Sequence, residues 1–120
     1  MAAHLQKRYP KRLNVTSGDS TKTLPEFHVS HADMKCDVII VDGGHSEAVA
    51  TADMENFKPM ASNDHILVID DCPAIGEFVP LRKAYEHLKN RGLIVDKFQC
   101  TKGWRGVTVG RYNLNPDMAK

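Results

Sequence analysis

Asp37-Val38-Ile39-Ile40-Val41-Asp42-Gly43-Gly44-His45-Ser46, followed some twenty residues later by Ile66-Leu67-Val68-Ile69-Asp70-Asp71-Cys72-Pro73, decides how this chain folds. Each segment opens on a continuous apolar run rich in β-branched residues, the pattern of a strand buried on both faces of a parallel sheet. Each run stops at an acidic residue. After the first, Ser46 is placed to cap a helix whose apolar positions Val49, Ala52 and Phe57 lie near one face, and Pro59 ends it. Asn63-Asp64 can supply left-handed turn conformations on the way into the second strand. Strand, tight turn, helix, strand is a parallel unit.

Working outward, Ala2 to Tyr9 reads as the tail of a helix stopped by Pro10, and Leu13 to Thr16 as a short strand leaving into Ser17-Gly18-Asp19-Ser20. A short helix is predicted from Thr21 to Phe27. Downstream, Pro80 suits a first helical turn, Leu81, Ala84, Tyr85 and Leu88 follow helical spacing, and Gly92 closes the segment. Leu93 to Cys100 and Gly106 to Tyr112 are extended runs joined by Thr101-Lys102-Gly103-Trp104-Arg105, which predicts a terminal antiparallel hairpin. The fold class is therefore α/β, a three-layer sandwich built on a Rossmann-like, mostly parallel sheet with an antiparallel edge. Residues 1–112 make one domain and 113–120 a polar tail.

The 16 Lys and Arg against 15 Asp and Glu exclude a strong electrostatic case for nucleic acid or membrane surface. The basic group Lys7, Arg8, Lys11 and Arg12 reads as a solvated helix end. Cys36, Cys72 and Cys100 are spaced for neither a disulfide framework nor a CxxC metal site, so a reducing, cytoplasmic setting is expected. No run has the apolar length of a membrane span, and no signal-peptide profile opens the chain. Homo-oligomerisation is left open by the sequence.

Ligands of α/β sheets bind outside the carboxyl ends of the strands, where Asp19, Asp42 and the pair Asp70-Asp71 fall. Clustered carboxylates repel unless a cation or a shared proton offsets the charge, and oxygen ligands favour a hard ion such as Mg²⁺. The competing explanation is that Asp42 and Asp70 merely cap the turns after their strands. His45, three residues past Asp42 and after two glycines, is a candidate general base. The other histidines, His4, His28, His31, His65 and His87, are read as surface residues without a role. Trp104 and Arg105 are left unassigned.

The run from Asp37 to Asp71 resembles the fourth and fifth strand regions of class I S-adenosylmethionine-dependent methyltransferases. It is most similar to the branch containing the macrolide-sugar O-methyltransferases. That resemblance implies a strand order of 3-2-1-4-5-7-6, with Mg²⁺ held by Asp42, Asp70 and Asp71 and His45 as the base, so that His45 and Asp42 are the catalytic candidates. It further implies that Asp19, with Ser20 beside it, lies next to the adenine of the coenzyme, and that the methyl acceptor is a small-molecule hydroxyl. The glycine-rich loop and the ribose-binding acidic residue of the family have no counterpart here. The N-terminal strands are accordingly expected to be missing, with the chain a fragment or a natural truncation that binds the coenzyme weakly and is inactive alone. Two other readings compete: a non-catalytic scaffold derived from such an enzyme, and a permuted receiver module phosphorylated at Asp42.

Overall fold

The computed structural model describes residues 2–72, 80–102 and 105–114. In chain order these form α1 (Ala2–Arg8), α2 (Ser20–Ser30), β1 (Cys36–Val41), α3 (Glu47–Phe57), β2 (Ala61–Asp70), α4 (Pro80–Asn90), β3 (Ile94–Lys102) and β4 (Arg105–Tyr112). Pro73, the hairpin residues Gly103 and Trp104, and the tail from 115 onward lie outside the described residues.

The sheet has the order β1-β2-β4-β3, with β1 and β2 parallel and β4 antiparallel to both of its neighbours. This is the α/β arrangement with a terminal antiparallel hairpin predicted above, and it matches the 4-5-7-6 portion of the order implied by the resemblance. β2 is interior, as its apolar run requires. Leu13 to Thr16, expected as a strand, forms none. The run is too short and too exposed for side-chain burial to offset the cost of ordering it, and no strand of the sheet lies beside it.

Burial on both faces is also corrected. Ile39 and Val41 are buried at 2% and 3% exposure, whereas Val38 and Ile40 between them are 57% and 60% exposed. Ile66, Val95 and Phe98 continue that open face, while Leu67 and Ile69 point the other way into the core. Period-two alternation thus divides the apolar runs. The packed face receives α3 and α4, whose Ala50, Met54, Leu81, Ala84, Tyr85 and Leu88 join Ile39, Val41, Leu67 and Ile69 in one core.

α3 begins as expected, with the Ser46 side chain accepting from the Val49 N–H at 3.2 Å. Its buried face is Ala50, Asp53 and Met54 rather than Val49, Ala52 and Phe57, which are only half-buried. The helix is rotated by about one position because it packs on both the sheet and α4. Asn63 and Asp64 supply no left-handed turn. They lie within β2, in an irregular stretch where pairing jumps from Cys36 with Ala61 to Val38 with Ile66.

α4 matches its periodicity and ends in a Schellman motif. Leu93 N–H reaches the Leu88 carbonyl at 3.0 Å and Gly92 N–H the Lys89 carbonyl at 2.9 Å, with Gly92 at φ 76°. At Gly110 a Cβ would sit 2.6 Å from the Tyr85 hydroxyl and 2.8 Å from the Val95 carbonyl, so only glycine lets β4 pass under α4 there.

Candidate functional site

The carboxyl ends of β1 and β2 lie side by side because their register pairs Val41 with Ile69. Asp42 follows the first strand, Asp70 ends the second, and Asp71 occupies the next turn. Asp71 is the one non-glycine residue at positive φ, 51°, among those described. That conformation costs an ordinary residue about 1–2 kcal/mol, less for aspartate, whose short polar side chain tolerates it.

One donor atom each from Asp42, His45 and Asp71 lie within 4.8 Å of one another. His45 Nε2 stands 3.7 Å from Asp71 Oδ2, with both side chains open to solvent. Asp70 faces Asp42. Its negative charge is the largest of the influences that raise the Asp42 pKa above the ordinary carboxylate value, followed by slight desolvation, a hydrogen bond with Asp70 and the charge of Asp71, while His45 acts in the opposite sense. The structure therefore brings together all four residues singled out at the two strand ends. The three whose donors converge as a group are Asp42, His45 and Asp71, with Asp70 against Asp42.

The glycines explain how His45 returns to the crevice. A Cβ at Gly44 would meet the Val49 side chain at 2.7 Å, so the turn lies flat on the first residues of α3. Behind it, Asp53 is 4% exposed with Oδ1 unpartnered, and its Oδ2 would be 3.4 Å from a Cβ at Gly43. No sequence signal singled out Asp53, since it falls on the helix face that periodicity reads as polar.

Asp19 has a different setting. It is the N-cap of α2, its Oδ1 accepting from the Thr21 N–H at 3.0 Å and the Thr21 hydroxyl at 2.7 Å, and these bonds hold its pKa below the ordinary value. Ser20 is the first residue of that helix. The side chains of Thr101, Lys102 and Arg105 lie outside the described residues, as does Trp104. A surface cleft bounded by Lys35, Lys58, Asn63 and Leu114 opens at the start of β2, at the end of that strand opposite the carboxylates.

Three groups that matter here were missed from sequence. Arg82 adjoins the Leu81–Tyr85 stripe yet is buried, donating through Nη1 to Thr108 Oγ1 at 3.1 Å and through Nη2 to Glu86. The i,i+4 spacing of Arg82 and Glu86 was the only available hint. Thr108 is fully buried, on the inward face of its alternating strand with Gly110 and Tyr112. His65, read as a surface residue, is 4% exposed and bonded at both ring nitrogens.

A family model described as a methyltransferase domain matches residues 1–72, more than half of the chain, and the chain belongs to that family. Membership implies S-adenosylmethionine as methyl donor, and the matched residues include Asp42, His45, Asp70 and Asp71. It also displaces the receiver reading of Asp42. No curated protein matches the chain. No described helix is long and apolar enough to cross a membrane.

Proposed function

We propose that this site serves S-adenosylmethionine-dependent O-methylation of a small-molecule hydroxyl, assisted by a divalent cation. The acceptor class, sugar-like hydroxyls among it, follows from the resemblance to the macrolide-sugar branch. The observation that carries the proposal is the convergence of Asp42, His45 and Asp71 donors within 4.8 Å beside a further carboxylate, Asp70. Like charges so placed favour a cation.

The donor set fits such an ion. Asp42, Asp70 and Asp71 offer the oxygens that Mg²⁺ prefers, and their exposure leaves room for the waters it retains. A bound cation would lower the pKa of an acceptor hydroxyl and orient its oxygen, and the sulfonium donor supplies the methyl group. His45 Nε2 takes the hydroxyl proton, and Asp71 Oδ2 at 3.7 Å steadies the resulting imidazolium. Asp42 holds the near side of the site. Asp19 and Ser20, at the start of α2, are proposed to lie along the adenine.

Thermal melts with and without Mg²⁺ or Mn²⁺, paired with transfer rates in the active enzyme with and without chelator, test this. Asp42→Asn and Asp71→Asn should abolish metal-dependent stabilisation and transfer together, while melting no lower than wild type without metal because repulsion is relieved. His45→Ala should keep the metal effect and slow transfer by roughly 10²–10⁴-fold. Full transfer in chelator would remove the metal and leave His45 alone. Destabilised aspartate variants with unchanged specific activity would reduce the carboxylates to turn caps.

A further inference from the structure

Asp71 reaches His45 from a left-handed backbone conformation, φ 51°. Such conformations persist in non-glycine residues where the flanking structure over-determines them. On one side Asp70 is held in the sheet opposite Val107. On the other, the Cys72 N–H donates to the Gly106 carbonyl at 2.9 Å, and the Cys72 carbonyl accepts from the Thr108 hydroxyl at 2.6 Å. With its proton spent on Cys72, Thr108 Oγ1 meets Arg82 Nη1 as an acceptor at 3.1 Å. The guanidinium is fixed in turn by Glu86 and lies 5.1 Å from the centre of the Tyr85 ring. Thr108, Cys72 and Arg82 are 0%, 0% and 7% exposed.

Burying a guanidinium is often no more stabilising than an apolar side chain of the same volume, so stability is a weak reason for Arg82 to be there. Outside its own helix, its contacts are Thr108 Oγ1 and Cys72 Sγ, both at the turn that ends in the site. We infer that Thr108 and Arg82 are positioning residues, which clamp the Cys72 carbonyl so that Asp71 presents its carboxylate to His45 and Asp42. The inference rests on the proposed cation site. Neither residue touches that site. They act through Cys72, the residue after Asp71, whose carbonyl Thr108 holds and whose thiol, pushed up in pKa by burial, packs beside the clamp at 3.8 Å from Arg82 Nη1.

The test titrates Mn²⁺ into the full chain by electron paramagnetic resonance and follows amide exchange at Cys72, in wild type, Thr108→Val, Thr108→Ser, Arg82→Lys and Asp71→Asn. Thr108→Val should weaken Mn²⁺ binding by about 10–100-fold, the usual loss when an outer support of a metal ligand is removed. Cys72 exchange should accelerate in that variant while Leu67 and Ile69 stay protected. Thr108→Ser restores the hydroxyl and should return both readouts to wild type, which a purely steric role for the threonine methyl would not do. Arg82→Lys, which loses the planar fork that reaches Thr108 and Glu86 through separate nitrogens, should shift both readouts in the direction of Thr108→Val and decides the matter if the valine variant does not fold. Wild-type Mn²⁺ affinity in the folded clamp variants, with binding abolished by Asp71→Asn, would overturn the clamp and leave the cation site standing. A wild-type chain that takes up no Mn²⁺ would overturn the site, and the clamp's purpose with it.

Discussion

Replacing His65 by leucine is expected to destabilise the chain by about 2–4 kcal/mol, through loss of two hydrogen bonds to a buried ring. The Ser62 carbonyl can only accept, so Nδ1, 2.7 Å away, carries the proton, and Nε2 is left to accept from the Tyr112 N–H, also at 2.7 Å. Tyr112 is 1% exposed, so leucine would strand its N–H without water, a penalty of about 1–3 kcal/mol. Ser62 is half-buried and its carbonyl can be hydrated, so that bond contributes only the usual ~1 kcal/mol. Total stability for a domain of this size is on the order of 6–18 kcal/mol, so the loss is a sizeable fraction. A melt should show a fall of roughly 3–6 °C per kcal/mol. His65→Gln offers an acceptor to the same N–H and should recover part of it. A leucine variant within about 0.5 kcal/mol of wild type, the range of ordinary surface substitutions, would refute the reasoning. So would a glutamine variant as damaged as leucine.

Gly110→Ala should destabilise by about 1–2 kcal/mol: overpacking against the Tyr85 hydroxyl and Val95 carbonyl costs about 1–3 kcal/mol, partly offset by the ~0.4–1 kcal/mol of lost unfolded-state freedom. Adding Tyr85→Phe should relieve only part of it, because the Val95 carbonyl belongs to the backbone, and an alanine variant as stable as wild type in urea would contradict the close approach. Asp96 gives a pH signature. Burial works against its charge, but the Lys89 ammonium and the Tyr85 hydroxyl outweigh burial and hold its pKa below the ordinary 3.8. A depressed carboxylate stabilises the fold above the unfolded value and loses that stabilisation as pH falls below it. Melts of Asp96→Asn should therefore be lower than wild type at neutral pH and converge with it in acid, whereas a constant gap across that range would assign the difference to packing.

Much of this protein follows from one-dimensional patterns. The two runs Val38–Val41 and Ile66–Ile69 are too β-branched and too short to be anything but strands, and turns after strands are where acidic residues collect. Asp42, His45, Asp70 and Asp71 were consequently legible as polar residues at two strand ends, and Leu81–Ala84–Tyr85–Leu88 as a helix face, because each depends only on neighbours within one or two turns of chain. Leu13–Thr16 was misread for the complementary reason: a strand exists only by pairing, and its few residues carry no record of whether a partner lies alongside. The burial of His65, Arg82 and Thr108 was equally invisible. Polar side chains go inside when partners distant in sequence satisfy them, here Tyr112 for His65 across 47 residues and Cys72 for Thr108 across 36. Local composition thus determined where the chain turns and which carboxylates stand at the strand ends. Only the tertiary structure decided which face of the sheet is covered, how far α3 is rotated and what holds Asp71 in its left-handed turn, since each is set by long-range contacts that no window of sequence contains.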